Sequence, residues 1–339
     1  MAMPALVVSL AISIQALADN SGRKAPQSSF ERAPQKKVET VQRRSLAKFR
    51  FRSNRRRARF QCRLDGRSWH RCRSPKRVLV GPGRHRFAVR ARDRRGNVEK
   101  TEVRRRWRVK RWHPRVKAAR RYARKRGTVS FAVDLGWHTY GFHRGQTAPM
   151  ASTVKAMLMV AYLRQDGVRH RRLDPGEKDL LGRMIRYSDN GAATTVRNIV
   201  GESGVRRLAR RARLRDFEYS PIWGLCRTSA RDQASFMRNI DHYLPRRHEG
   251  FARRVLGRIT PSQRWGIGTI GHKGWSLGFK GGWWIGPSAG RTVNHQIAVL
   301  QRGKWRIGVA ILTQGNPAAG YGQQTLRTVA KRLLHGLPH

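Results

Sequence analysis

The sequence predicts two folded domains: a small all-β sandwich over residues 46–110, and an α+β domain over residues 111–339 that joins an antiparallel sheet carrying helices to an all-helical lobe. Three observations predict this. Apolar and basic residues alternate with period two through the first stretch. Helical periodicity fills most of the chain from Ser152 to about Arg258. Strand patterns then return, and an amphipathic helix ends the chain.

The elements follow in order. Residues 1–18 carry no charge, and "ALVVSLAISIQALA" is an apolar run ending in Ala16-Leu17-Ala18, a small-x-small cleavage pattern. It is short for a membrane span. This predicts a signal peptide over 1–18, although the usual basic start is missing, and hence a secreted, extracytoplasmic protein. No other segment is long and apolar enough to cross a bilayer. Residues 19–45 are polar and lack periodicity, which predicts a flexible linker.

From Leu46 the pattern becomes strand-like. "KFRFR" sets Phe49 and Phe51 on one face and Lys48, Arg50 and Arg52 on the other. "RHRFAVRAR" repeats the pattern with Phe87 and Val89 inward, and "DRRGN" makes a turn. In the second domain, "PRVKAARRYARKRG" reads as a basic helix, and "TVSFAVDL" with "WHTYGFHRG" as a strand pair. "GFKGGWWIG", "VNHQIAVLQR" and "WRIGVAILTQ" are strands, and "GYGQQTLRTVAKRLLHGL" is the closing helix.

The charge is extreme, with 74 basic against 19 acidic residues for a net +55. Residues 46–110 hold 25 basic and 4 acidic residues (+21 over 65 positions), and 111–339 hold 42 and 12 (+30 over 229). The first domain is therefore the denser in charge and the better candidate for contact with an anionic polymer. Genome-wide Arg bias with solvated faces explains the charge equally well. Cys62 and Cys72 lie close together, which in an oxidising compartment predicts a disulfide. Cys226 stands alone. No second Cys/His pair has ligand spacing, so no metal is expected.

One stretch asks for an explanation. "PMASTVKAMLMVAYLRQDG" puts Lys155 at the start of an otherwise apolar helix, three residues after Ser152. Positions i and i+3 share a helix face. A buried ammonium is costly unless paired or neutral. A Lys desolvated in this way has a lowered pKa and is able to take the proton of a nucleophilic hydroxyl. Further on come Ser188-Asp189-Asn190, ahead of a helix, and Lys280-Gly281-Gly282, on the strand "FKGGWW". Singly, each has a plain alternative: Ser152 as a helix cap, Lys155 snorkelling to solvent, Ser188-Asp189-Asn190 as a turn and cap, Lys280 as a surface charge. Together and in order they are far more specific.

This ordered set resembles the serine β-lactamase and penicillin-binding superfamily, especially its class A-like branch, over residues 112–339. The resemblance implies a two-lobed fold with Ser152 as nucleophile, Lys155 as base and Ser188 as proton relay. It implies an oxyanion site from the Ser152 and Trp283 N–H groups. Asn190 would hold the substrate amide, Lys280 would attract a substrate carboxylate, and Gly282 and Trp283 would line the substrate strand. No cofactor is implied, and a monomer is expected. The substrate would be a β-lactam or a cell-wall peptide. A D-alanyl-D-alanine peptidase or cell-wall amidase is the nearest alternative enzyme, and an inactive polyanion- or cell-wall-binding protein the most different one.

Two departures stand out. Position 281 is Gly where this superfamily most often has Thr, so a hydroxyl that helps bind the carboxylate is missing. The E-x-x-L-N loop of class A enzymes is also absent from "RDFEYSPIWGLCRTSARDQASF". Glu218 and Asp216 do not match its pattern, so acylation is expected to outrun deacylation. Cys226 lies in this loop and reads as a small buried residue. Residues 46–110, through "FRF", "FQCRLDGRSWHRCRSP", "GPGRHRFAVRARDRRGN" and "RRWRV", resemble bacterial immunoglobulin-like modules. Such modules act as spacers or adhesive units.

Overall fold

The computed structural model describes residues 25–272, 274–285 and 291–338. The segment read as a signal peptide lies outside them. Contacts divide the chain into two units, one from residues up to 38 plus 44–110, the other from 39–43 plus 111–339.

The first unit is all β. Its strands are β1 (Ser28–Arg32), β2 (Lys37–Thr40), β3 (Ser45–Ser53), β4 (Arg59–Leu64), β5 (His70–Cys72), β6 (Lys76–Val80), β7 (Gly83–Arg92) and β8 (Val103–Arg111). They form two sheets, β1-β3-β6 and β2-β8-β7-β4-β5. Alternation dictates the core, since successive strand residues face opposite ways. Phe49, Phe51, Phe87, Val89, Trp107 and Val109 are buried together, with Phe49 stacked on Phe87 at 4.0 Å. Cys62 and Cys72, on neighbouring strands β4 and β5, are joined as a disulfide.

The stretch expected to be a flexible linker is partly structured. β1 pairs with β3, Phe30 opposite Phe51, and the Phe30 ring lies 5.8 Å from that of Phe49. Ser28 adds a buried polar anchor: its N–H and hydroxyl donate to Glu99 at 2.8 and 2.6 Å. Residues 39–43 belong to the second unit, where Val41 is buried and its carbonyl accepts from Trp137 Nε1 at 2.9 Å. These strands are short and mostly polar, so main-chain pairing rather than hydrophobic periodicity forms them.

The second unit centres on a five-stranded antiparallel sheet, in the order β10-β9-β15-β14-β13. The strands are β9 (Thr128–Asp134), β10 (Thr139–Phe142), β13 (Ser276–Ile285), β14 (Thr292–Arg302) and β15 (Trp305–Asn316). A separate ribbon pairs β11 (Thr147–Pro149) with β12 (Arg227–Ser229). Helices α1 (Val116–Ala123) and α9 (Ala319–Leu333) pack together on one face. The other face carries α6 (Ala230–Arg238), whose backbone at Ala234 leaves no space for a side chain at position 308 of β15.

The helical lobe comprises α2 (Lys155–Leu163), α3 (Asp166–Arg169), α4 (Pro175–Gly182) and α5 (Asn190–Arg211), with α7 (Ile240–Tyr243) and α8 (Arg246–Gly257) further on. Every residue of α2 is buried, as expected for a helix that is apolar all round. A capping box starts α4: Asp174 Oδ1 accepts from the Glu177 N–H at 2.7 Å, and Glu177 Oε2 from the Asp174 N–H at 2.9 Å. Glu177 also binds Arg171 and Tyr162. Its carboxyl is held down at about 2, chiefly by the Arg171 hydrogen bonds.

The disulfide gives the first testable outcome. Thiol counting on the denatured protein should find one reactive thiol, Cys226. Opening so short a loop by Cys62→Ser should cost about 2–3 kcal/mol in urea unfolding; a count of three refutes the bond.

Candidate active site

The β11–β12 ribbon delivers the Ser152 segment. The Met150 N–H donates to the Cys226 carbonyl at 2.7 Å, and Ala151 takes a positive φ of 47°. The chain then enters a 3₁₀ turn, Ala151–Val154, which continues directly into α2. Ser152 and Lys155 therefore sit on one helical rod. No side chain caps either helix start, so Ser152 does not act as a capping residue. Nor does Lys155 snorkel, because it is fully buried.

Lys155 Nζ makes three hydrogen bonds: to the Ser188 carbonyl at 2.6 Å, the Ser188 hydroxyl at 3.2 Å and Asn190 Oδ1 at 2.7 Å. The Ser152 hydroxyl is not among these partners; the direct pairing expected from their spacing is not formed, and the second motif takes up the Lys155 ammonium instead. Burial pulls the Lys155 pKa down to about 7, against a smaller opposing pull from Asp189. The Trp223 ring lies 4.9 Å from the ammonium.

Ser188 owes its position to local backbone geometry. A π-helical turn, Arg183–Tyr187, ends α4, and Ser188 takes the left-handed conformation, φ 58° and ψ 34°. Asp189 is the helix cap foreseen as the plain alternative: its Oδ1 accepts from the Ala192 N–H at 2.9 Å. Its other oxygen turns outward to Arg183 at 3.0 Å.

Lys280 comes from the edge strand β13. Its Nζ donates to the Ser188 hydroxyl at 2.9 Å and the Gly281 carbonyl at 2.8 Å. It is fully buried, not a surface charge. Burial, reinforced by Lys155, holds its pKa well below the ordinary value. The Ser188 hydroxyl thus stands between two depressed ammonium groups.

Gly282 marks where β13 crosses the Ser152 turn. A Cβ there would sit 2.9 Å from the amide nitrogens of both Ser152 and Thr153 and 3.1 Å from the Met150 carbonyl oxygen. Only Gly allows so close a crossing. Ser152, Asn190, Trp283 and Trp284 line one cleft of about 680 Å³, closed by Ile222, Trp223, Gly224, Leu225 and Ile285.

The segment 216–227 behaves differently from a water-activating loop. Glu218 is exposed, forms a bridge with Arg227 and pairs loosely with its guanidinium at 3.7 Å. Asp216 binds Arg231 at 2.7 Å. Neither lines the cleft. Cys226 is buried, contacts the Ser220 backbone and has its thiol pKa raised by burial.

Three residues near the site escaped sequence reasoning. Trp223 closes the cleft, and its Nε1 donates to Thr194 Oγ1 at 3.2 Å. The Trp265 ring lies against Gly281. Gln296, opposite Gly281 in the β13–β14 register, holds the Trp265 segment: its Nε2 donates to the Trp265 carbonyl at 2.7 Å and its Oε1 accepts from the Ile267 N–H at 2.7 Å. A Trp in an otherwise polar loop, "SQRWGIG", was the one available signal.

Comparison with known proteins points the same way. Residues 173–337 match the Beta-lactamase enzyme family, a span that takes in Ser188 and Lys280 and begins after Ser152. No curated protein matches the chain. Among solved structures, the chain is similar to the β-lactamase from Sphaerobacter thermophilus DSM 20745, at 19% identity and TM-score 0.55, over 65% of this chain and 95% of that one. It is also similar to the class A β-lactamase from Mycobacterium abscessus, at 19% identity and TM-score 0.53, over 65% and 98% of the two chains. A class A β-lactamase representative from Bacteroides cellulosilyticus DSM 14838 gives 11% identity and TM-score 0.56, over 66% and 98%. At these identities the likeness is one of fold, and about two thirds of this chain has the fold of the class A β-lactamases.

Proposed function

We propose that this protein is a serine hydrolase that forms an acyl-enzyme at Ser152 with β-lactams or related amides. The observation that carries the reading is the buried Lys155 ammonium, one helical turn from Ser152 and bonded to Ser188 and Asn190. In acylation, Ser152 Oγ bonds to the substrate carbonyl carbon as its proton passes to neutral Lys155. The C–N bond then breaks, and the proton reaches the departing nitrogen through the Ser188 hydroxyl. Ser152 and Trp283 N–H groups beside the Gly282 crossing would hold the oxyanion.

Deacylation lacks an evident base. No carboxylate lines the cleft among the described residues, and residues 286–290 contain none in sequence. This favours a long-lived acyl-enzyme, the chemistry also used by a D-alanyl-D-alanine peptidase or cell-wall amidase. The apolar residues 1–18 support a secreted location. The two-sheet unit with its disulfide supports an immunoglobulin-like affiliation for residues 46–110.

Three outcomes test this. Intact-mass analysis with a penicillin should show one adduct, absent in Ser152→Ala; an adduct that survives refutes the nucleophile. Nitrocefin should give a burst of one equivalent, then turnover about 100- to 10,000-fold slower than with a working general base. Glu218→Gln should leave that slow phase unchanged, whereas fast turnover that collapses in Glu218→Gln would identify Glu218 as the base.

Acylation should also rise with pH to a plateau above about 7, because Lys155 is protonated, and unable to accept the Ser152 proton, below its lowered pKa. The same depression makes stability climb with pH between the folded pKa of about 7 and the ordinary value of 10.5, where only the unfolded chain holds the proton. A flat acylation profile between pH 6 and 9 would exclude Lys155 as the base.

A second proposal concerns the first unit, which we assign to an anionic phosphodiester polymer such as teichoic acid. The register sets Arg84 opposite Arg108 and Arg86 opposite Arg106 across β7 and β8. Like charges directly opposite on a sheet are destabilising. Among the described residues no carboxylate pairs with these four, whereas Arg63 and Arg104 share Glu102 at 2.5 and 2.7 Å. Arg90 stacks on Trp69 at 4.3 Å on the same sheet. Arg50 and Arg52 lie on β3 in the other sheet and do not belong to this row. Changing Arg84, Arg86, Arg106 and Arg108 to Gln in the full chain should flatten the log affinity–log salt slope for teichoic acid by about 3. Equal flattening from Gln at Arg120, Arg121, Arg210 and Arg211 would show that only net charge matters.

A further inference from the structure

The cleft beside Ser152 is unusual for this chain. Of 74 Lys and Arg residues, none lines it among the described residues; Ile222, Trp223, Leu225, Trp283, Trp284 and Ile285 make its walls. Residues 286–290, next along the chain, contain no charged side chain in sequence. The two ammonium groups beneath it, Lys155 and Lys280, are fully buried and turned to Ser188, Asn190 and the Gly281 carbonyl.

A second observation concerns position 281. A Cβ there would sit 2.9 Å from both Cη2 and Cζ2 of Trp265. The indole therefore fills the space that a hydroxyl-bearing side chain at 281 would need. Its segment is held there by the buried Gln296, which donates to the Trp265 carbonyl and accepts from the Ile267 N–H. The Trp283 ring meets it edge-on at 6.1 Å. Where the strand would offer a hydroxyl to a substrate carboxylate, this protein offers the Trp283 ring of the cleft wall with the Trp265 indole packed behind it.

We infer that the site selects acyl donors whose group beside the scissile bond is uncharged and apolar, and that Trp265 is the residue that determines this selectivity. The inference rests on the acyl-enzyme reading of Ser152. A carboxylate placed against Trp283, where Trp265 keeps a hydroxyl-bearing side chain out of position 281, would lose its hydration with no donor to replace it, whereas its ester loses little and gains apolar contact. The protein's net charge of +55 works the other way, drawing anions toward the molecule from a distance. That steering is screened by salt, and contact in the cleft is not. The comparison therefore belongs at about 1 M salt, where the Debye length is about 3 Å.

The test uses benzylpenicillin and its methyl ester, which differ in that charge and in one methyl group. Ser152 acylation is followed by intact mass on the full chain. The ester should acylate faster by roughly 10- to 200-fold, the range one apolar group supplies in an apolar pocket. The double variant Trp265→Ala/Gly281→Thr restores both the space and the hydroxyl and should shrink that preference, while Trp265→Phe should keep it. Equal or faster acylation by the free acid, with Ser152 still labelled, overturns the inference and leaves the acyl-enzyme reading standing. A double variant that acylates yet keeps the full ester preference removes Trp265 from the role. Failure of both compounds to label Ser152 overturns the acyl-enzyme reading and this inference with it.

Discussion

The active site depends on one ammonium group buried without a carboxylate in contact. Lys155 occupies a helix with no exposed residue, and its hydrogen bonds go to the neutral oxygens of Ser188 and Asn190, with the Trp223 ring beside it. A carboxylate there would raise its pKa and keep the amine charged at neutral pH. The nearest acid, Asp189, is turned away, with one oxygen capping α5 and the other on Arg183. The π-helical turn and the left-handed Ser188 follow from the same need. They swing the Ser188 carbonyl and hydroxyl onto Lys155 together, which a regular helix ending would not do.

What the sequence disclosed was set by distance along the chain. Ser152 and Lys155 are coupled by helical spacing, and Ser188 to Asn190 by a turn with its cap. Such local relations are visible as patterns, and the sheet's strands and closing helix were equally plain. Trp265 and Gln296 were not, because they meet Gly281 only through the β13–β14 register and a loop crossing. No periodicity marks such a meeting. The same holds for β1, whose Ser28 finds Glu99 about seventy positions away. Its polar residues read as linker because pairing with β3, not burial of a stripe, makes it a strand. Arg50 and Arg52 share an alternation with Arg84 and Arg86, but alternation says which side of a strand faces out, not to which sheet the strand belongs.

The loop before α6 has been put to a different use from proton transfer. Cys226 fills a buried space with its side chain while its carbonyl fixes the Met150 N–H. One residue thus ties the cleft's wall, at Trp223 to Leu225, to the turn that presents Ser152. The wall and the Ser152 turn flank one two-stranded ribbon, which makes the cleft's apolar lining part of the scaffold that positions Ser152.

The contact between Gly281 and Trp265 has a historical consequence. Two side chains compete for one volume, so positions 265 and 281 cannot change independently. Adding a hydroxyl-bearing residue at 281 first forces it into an indole. Removing the indole first leaves a void beneath the substrate strand and frees the segment that Gln296 anchors. Either order passes through a disfavoured intermediate. Exchange between the two arrangements therefore needs both positions to change together, so residues 265 and 281 act as one structural unit.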